Sequence, residues 1–242
     1  MEEEHHSPEH IFKEKGRIGR ISQIRELVFG AQDGLLVPLG VVSTVAGAFN
    51  NNHIVIIAGI SEALAGAFSM ATGAYLASQA ERQVHKSEIE KERQAIGRYP
   101  KGERQEMIML FEKEGVEKKD SEKITDILEK YKNSFFVTMV QKELGIDPEP
   151  PDAPLRDALI VGVSYGISAV IPLSPYFFLT GKPAIAISIL ATFIALFIIG
   201  VLKGKVASLP YIKSGLQIVL VGVGSGIGGY LLGTLLPRIF IR

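Results

Sequence analysis

Five stretches of the chain are apolar over the roughly 20 residues that a helix needs to cross a bilayer. They cover approximately residues 29–49, 54–80, 158–179, 183–202 and 214–236. The last three contain no Asp, Glu, Lys or Arg, the first holds only Asp33, and the second only Glu62. Such length and purity exceed what a buried helix of a soluble domain shows, so the pattern predicts an all-α, multi-pass membrane protein with five transmembrane helices. Between the second and third stretches the pattern changes. Nothing breaks the helical register after residue 80, so the second span is expected to continue through Gln83, Glu88 and Glu92. A turn is expected at 100–102, then a short amphipathic helix from about Glu103, stopped by Gly115. A longer helix follows, capped by Asp120 or Ser121, with Ile124, Ile127, Leu128, Tyr131, Phe135 and Met139 as its apolar stripe. Gly145 ends it, and Pro148, Pro150, Pro151 and Pro154 form a stiff linker into the third span.

Charge sharpens this division. The chain of 242 residues carries 26 basic and 26 acidic side chains, with 47% hydrophobic residues, 21% charged ones and a mean hydropathy of +0.23. From Glu81 to Asp147 there are 14 Lys and Arg and 15 Asp and Glu, so 29 of the 52 charges lie in 67 residues. An apolar body is therefore interrupted by one charged insert. Residues 1–28 form an N-terminal segment, 29–80 the first two spans, 81–147 the insert, 148–157 the linker, and 158–242 the last three spans. The balanced charge argues against a nucleic-acid partner. The absence of Cys excludes disulfides, thiolate zinc sites and a Cys nucleophile. With no Trp, the interfacial belt must be built from Tyr and Phe.

Lys and Arg in the short loops set the orientation. Lys13, Lys15, Arg17, Arg20 and Arg25 precede the first span, whereas the Asn50-Asn51-Asn52-His53 loop has none. Lys203, Lys205 and Lys213 flank the loop after span four, and the loop after span three offers only Lys182. The N-terminus, the insert and the fourth loop are therefore expected in the cytoplasm, with Arg238 and Arg242 on the far side. The polar start of the chain reads as no secretory signal, which favours a prokaryotic cytoplasmic membrane, or a vacuolar membrane in a eukaryote.

A carboxylate at bilayer depth costs at least about 2.5 kcal/mol, so it marks a cavity, a partner or a pathway. Asp33 lies near the cytoplasmic end of span one, where capping or snorkelling is the competing reading. Glu62 sits two turns into span two from the far side. Pro38 cannot donate to the carbonyl of Gly34, beside Asp33, and such freed oxygens can ligate cations in transporters. Met70 lies two turns from Glu62, and Gly66, Ser69 and Gly73 would let a neighbouring backbone approach. Asp, Glu and Met together suit Fe²⁺ or a similar divalent ion, because a thioether favours softer ions than Mg²⁺ or Ca²⁺. In the insert, Glu88 with Glu92, Glu103 with Glu106, and Met139 with Glu143 each share one helix face. Charged helices also produce such spacings as solvated faces.

The segment Arg25-Glu26-Leu27-Val28-Phe29-Gly30-Ala31-Gln32-Asp33-Gly34-Leu35 resembles the first-span signature of the vacuolar iron transporter family. The stretch from Glu62 to Gly73, with Ser69-Met70-Ala71, is similar to that family's second span. The resemblance implies Fe²⁺ transport with protons as counter-ion, by a homodimer whose pathway lies at the subunit interface. It places Asp33 and Met70 on that path, with Glu26 and Glu62 as further acidic positions. It also implies a three-helix metal-binding insert using Glu92, Glu103, Glu106, Met139 and Glu143. The expected companion of Glu92 is Ala95 here, and Glu88, one turn back, can substitute for it. Ala74 stands where some members carry another Glu. No resident cofactor is expected; Fe²⁺, with Mn²⁺ and other divalent transition metals, is cargo.

An independent motive for a dimer is that one chain offers only two in-span carboxylates, which a two-fold axis would double. In span five, Gly222, Gly224, Gly226, Gly228, Gly229 and Gly233 permit close helix packing. Two other readings compete. One is a membrane-anchored di-iron carboxylate oxidase or a metal-storage protein, of which the oxidase would use Glu-x-x-His pairs on two helices. That spacing is missing from the spans, their loops and the insert, whose histidines are His53 and His85. The second is a scaffold whose insert docks another protein.

Overall fold

The computed structural model describes residues 8–49, 51–148 and 153–223, with side chains from residue 23 onward. Every regular element among them is helical: α1 (Pro8–Ala48), α2 (Asn52–Arg98), α3 (Pro100–Lys113), α4 (Lys118–Glu129), α5 (Lys132–Met139), α6 (Pro154–Leu173), α7 (Lys182–Val206) and α8 (Tyr211–Val223). A π turn, Val140–Leu144, follows α5, and a 3₁₀ turn, Ser174–Phe177, follows α6. Among the described residues, four helices are long and apolar enough to cross a membrane: Gln23–Ala48 within α1, α2, Pro154–Phe177 and α7. The described part of the fifth expected span is the shorter apolar helix α8. Its remainder, with Gly224, Gly226, Gly228, Gly229, Gly233, Arg238 and Arg242, lies outside the described residues. So do the side chains of Lys13, Lys15, Arg17 and Arg20, and the part of the proline linker that holds Pro150 and Pro151.

The chain divides into two compact units, one made of residues up to Tyr75 and from Leu155 on, the other of Leu76–Pro154. The first has the inverted polarity expected in lipid. Ile57, Leu64, Phe68, Ile167, Val170 and Ile194 are exposed, while Ser168, Ser188 and Thr192 are buried. Buried hydroxyls in an apolar helix must find internal acceptors. Ser188 donates to the Pro172 carbonyl at 2.6 Å, and Thr192 to that of Ser188 at 2.8 Å. Glycines let helices touch: a Cβ at Gly30 or Gly34 of α1 would overlap the α6 backbone at Val161 or Tyr165. At Gly162 of α6 a Cβ would come within 2.8 Å of the Ala71 methyl of α2. Helices α1, α2 and α6 thus meet through small residues. Below them, Asn52 donates to the carbonyls of Tyr176 and Leu179, at 2.6 and 2.5 Å, and ties the start of α2 to the end of the α6 segment.

The second unit holds the distal half of α2 with α3, α4 and α5. Helix α2 runs 47 residues, about 70 Å at 1.5 Å per residue, and passes through Gln83, Glu88 and Glu92 as expected. It ends before Pro100, which disfavours helical geometry at Tyr99. Three local expectations are corrected. Residues 100–102 are not a turn, because Pro100 opens α3 at the first helical position, where a missing N–H costs nothing. Neither Asp120 nor Ser121 caps α4. The helix starts at Lys118, and Ser121, inside it, donates back to the Glu117 carbonyl at 3.2 Å. The long apolar stripe is also broken. The chain interrupts its helix at Lys130 and Tyr131, leaving Ile127 and Tyr131 56% and 64% exposed, while Ile124, Leu128, Phe135 and Met139 stay with the core. The insert therefore has four helical pieces rather than three. Gly115 and Gly145 stop α3 and the π turn with φ of +95° and +67°, which glycine adopts without strain. The core is Met107, Phe111, Phe135 and Met139, and Arg104 bridges α3 to α4 at Asp126 (2.6 Å) and Glu129 (3.4 Å).

Candidate metal centre and membrane carboxylates

In the insert, Glu92 from α2, Glu103 from the first turn of α3 and Glu143 from the π turn converge. Each offers a carboxylate oxygen, and the three lie within 4.8 Å of one another. Glu92 and Glu103 are each only 7% exposed, and Glu143 faces outward. Glu92 Oε1 and Glu103 Oε2 are buried without a hydrogen-bond partner. Such an arrangement is costly for a protein holding nothing there, since each orphaned acceptor forfeits its hydration.

The cluster answers the cost by keeping protons. Burial first, then the charges of Glu143 and Glu103, push Glu92 up to about 8. This favours the protonated form of Glu92 at neutral pH, whose single acidic hydrogen can be shared with Glu143 or Glu103. Burial and the neighbouring Glu106 carboxylate raise both Glu103 and Glu143, which the bond from Glu92 partly offsets. A divalent cation would satisfy the same oxygens by replacing those protons, because a nearby positive charge favours the ionised acids.

The other predicted ligands take different places. Glu106 is exposed and acts on Glu103 and Glu143 through its charge. Met139 is fully buried in the apolar core with Met107. Glu88 accepts a hydrogen bond from Lys91 at 2.7 Å and stands outside the three-acid group, one turn from Glu92. Ala95 is half-buried.

In the apolar unit, Glu62 Oε1 accepts a hydrogen bond from the Tyr165 hydroxyl at 2.5 Å, and its Oε2 is buried without a partner. Gly66, one turn along α2, leaves room for the tyrosine: a Cβ there would overlap the ring and hydroxyl. Asp33 is half-buried beside Gly34, which packs on the Tyr165 backbone, and lies within electrostatic range of the same hydroxyl. Tyr165 therefore gathers α1, α2 and α6 at the two in-span carboxylates. Met70 is half-buried on α2, about 12 Å along the helix from Glu62. Glu26, mostly buried, is held by Arg25 at 2.7 Å. Pro38 is buried within an α1 that passes through it. Tyr165 is the residue that sequence reasoning missed. The available signal was a hydroxyl in a charge-free span, which needs an acceptor as surely as a carboxylate needs a donor.

The sequence model of the VIT family matches residues 24–234. The chain is 32% identical to vacuolar iron transporter 1 of Eucalyptus grandis, over 82% of this chain and 80% of the relative. It is 33% identical to the vacuolar iron transporter of Centaurea cyanus, over 82% of each. It is 31% identical to that of Plasmodium falciparum, over 89% of this chain and 82% of the relative. A match of this extent, over spans and insert alike, leaves one conclusion: this multi-pass membrane protein belongs to the VIT family.

Proposed function

We propose that the chain transports Fe²⁺ out of the cytoplasm in exchange for protons, as a homodimer with the ion path between its subunits. The observation that carries the cargo is the convergence of Glu92, Glu103 and Glu143 with two buried, partnerless oxygens. Relatives named as vacuolar iron transporters support iron as that cargo. The ligands are hard oxygens, so Mn²⁺ and other divalent transition metals are expected to compete. Glu106 and Glu88 stand outside the three-acid group and Met139 is buried in the apolar core, so these three would serve an ion only after local rearrangement. Among the described residues no histidine joins the group, which fits a carrier better than a di-iron oxidase.

The N-terminus and insert face the cytoplasm in this reading, by the distribution of Lys and Arg. The ion is collected on the insert, sheds part of its water, and passes Asp33 and Met70. Glu62 or Glu26 takes up protons as it leaves, and the Tyr165 hydroxyl donates a hydrogen bond to Glu62 on that route. A second subunit doubles the carboxylates offered to a dehydrated divalent ion. The membrane is a prokaryotic cytoplasmic one, or a vacuolar one in a eukaryotic host.

The test is Fe²⁺ uptake into proteoliposomes with an internal pH reporter. Asp33→Ala and Met70→Ala are each expected to cut flux by tenfold or more, on the order of the loss of one good ligand. Undiminished flux in both variants overturns the pathway, and Fe²⁺ entry without proton counter-flow overturns exchange.

A further inference from the structure

The three acids do not reach one point by helix geometry alone. Glu92 and Glu103 sit on regular helices, but Glu143 sits on the π turn Val140–Leu144. A π turn is wider than the helix it follows and re-aims the side chains it carries. Met139, at its N-terminal edge, is fully buried in the core, whereas Glu143 is exposed and joins the cluster. Lys142, next to Glu143, has a largely buried side chain. Its ammonium lies 4.5 Å from the centre of the Phe111 ring and is ion-paired with Glu114. Phe111 and Glu114 are at the C-terminal end of α3, the helix that carries Glu103 in its first turn. The wide turn is thereby fastened to the element that supplies a second ligand.

The geometry points to Lys142 as the positioning residue of the cation site: its clasp on Glu114 and Phe111 holds the π turn so that Glu143 meets Glu92 and Glu103. This rests on reading those three acids as the cation site. The assignment makes a prediction of unusual sign. A lysine that is merely a neighbour repels an incoming cation, so its removal would tighten binding. A lysine that sets the turn does the reverse, because Glu143 then no longer stays in register. Changes to groups that orient metal ligands typically cost 10–100-fold in affinity.

Mn²⁺ binding to the full-length, detergent-purified protein separates the two. Lys142→Met is expected to weaken Mn²⁺ by roughly tenfold, and Lys142→Arg, which keeps both the ion pair and the ring contact, to restore most of the loss. Glu114→Gln removes the other half of the clasp, is far less disruptive to folding, and is expected to weaken Mn²⁺ in the same direction. In combination with Lys142→Met it should add nothing further. Unchanged or tighter binding in Lys142→Met or Glu114→Gln, alongside weakened binding in Glu143→Gln, overturns the positioning role and leaves the cation site standing. Unchanged binding in Glu143→Gln removes the site itself, and the positioning role with it.

Discussion

Glu92 is the residue on which the chemistry of the insert turns, because it is buried and the carboxylates of Glu143 and Glu103 both press upon it. With its pKa pushed up to about 8, it holds a proton at neutral pH that an arriving cation must displace. The affinity for Mn²⁺ should therefore rise with pH as the solution approaches 8, by up to about tenfold per pH unit for each proton expelled. Calorimetry at pH 6, 7 and 8 checks this, and Glu92→Gln should flatten the slope while weakening binding throughout. An affinity independent of pH in the unmodified protein would contradict the protonated cluster. In the apolar unit the equivalent test falls on Tyr165. Tyr165→Phe leaves Glu62 without its donor in a site where the other oxygen already has none. A cost of about 1–3 kcal/mol is expected for the stranded acceptor, read as a lower thermal midpoint, together with reduced Fe²⁺ flux. Both carboxylates of the spans were legible in the sequence, since a lone charge in an apolar run stands out. Their tyrosine partner was not, because a hydroxyl barely disturbs hydropathy and its acceptor lies 103 positions away.

At the level of elements, the long helices were the most legible part of the chain. Apolar runs, the unbroken register after residue 80 and Gly115 and Gly145 mark α1, α2, α6, α7 and the ends of α3 and the π turn. What escaped were features settled by tertiary contact. Pro100 can read as a turn or as a helix start, and only the packing of α3 decides. The break at Lys130 and Tyr131 does not interrupt the hydrophobic period, and a π turn leaves no compositional trace. The glycines divide in the same way. A Cβ at Gly34 would strike the backbone of Tyr165, which cannot yield as a side-chain tip can, while Gly97 has nothing near it. Gly34→Ala should cost about 1–3 kcal/mol by forced overpacking and abolish transport by parting α1 from α6. Gly97→Ala, in a solvated stretch of α2, should instead raise stability by about 0.5–1 kcal/mol. Melting curves of the two variants, measured side by side, check both signs.

For the whole molecule, the division into an apolar unit and a charged one was visible in the segregation of charge, and four of the five expected spans appear as long apolar helices among the described residues. The sidedness proposed from Lys and Arg is open to a clean test because the natural chain has no cysteine. A membrane-impermeant maleimide should label Lys130→Cys only from the cytoplasmic side and Asn51→Cys only from the opposite one. The exchanged pattern would reverse the orientation, and labelling of both from a single side would undo it. The burial of the insert's methionines has one more consequence. Ferrous iron meeting peroxide yields oxidants that convert thioethers to sulfoxides, which do not fit an apolar interior. Met107 and Met139 are sealed in the core, while Met109 on the same stretch is 49% exposed. A peroxide challenge followed by peptide mass spectrometry should find Met109 oxidised well before the other two. The outer sulfur would then act as a sacrificial sink, sparing the two on which the insert's integrity depends.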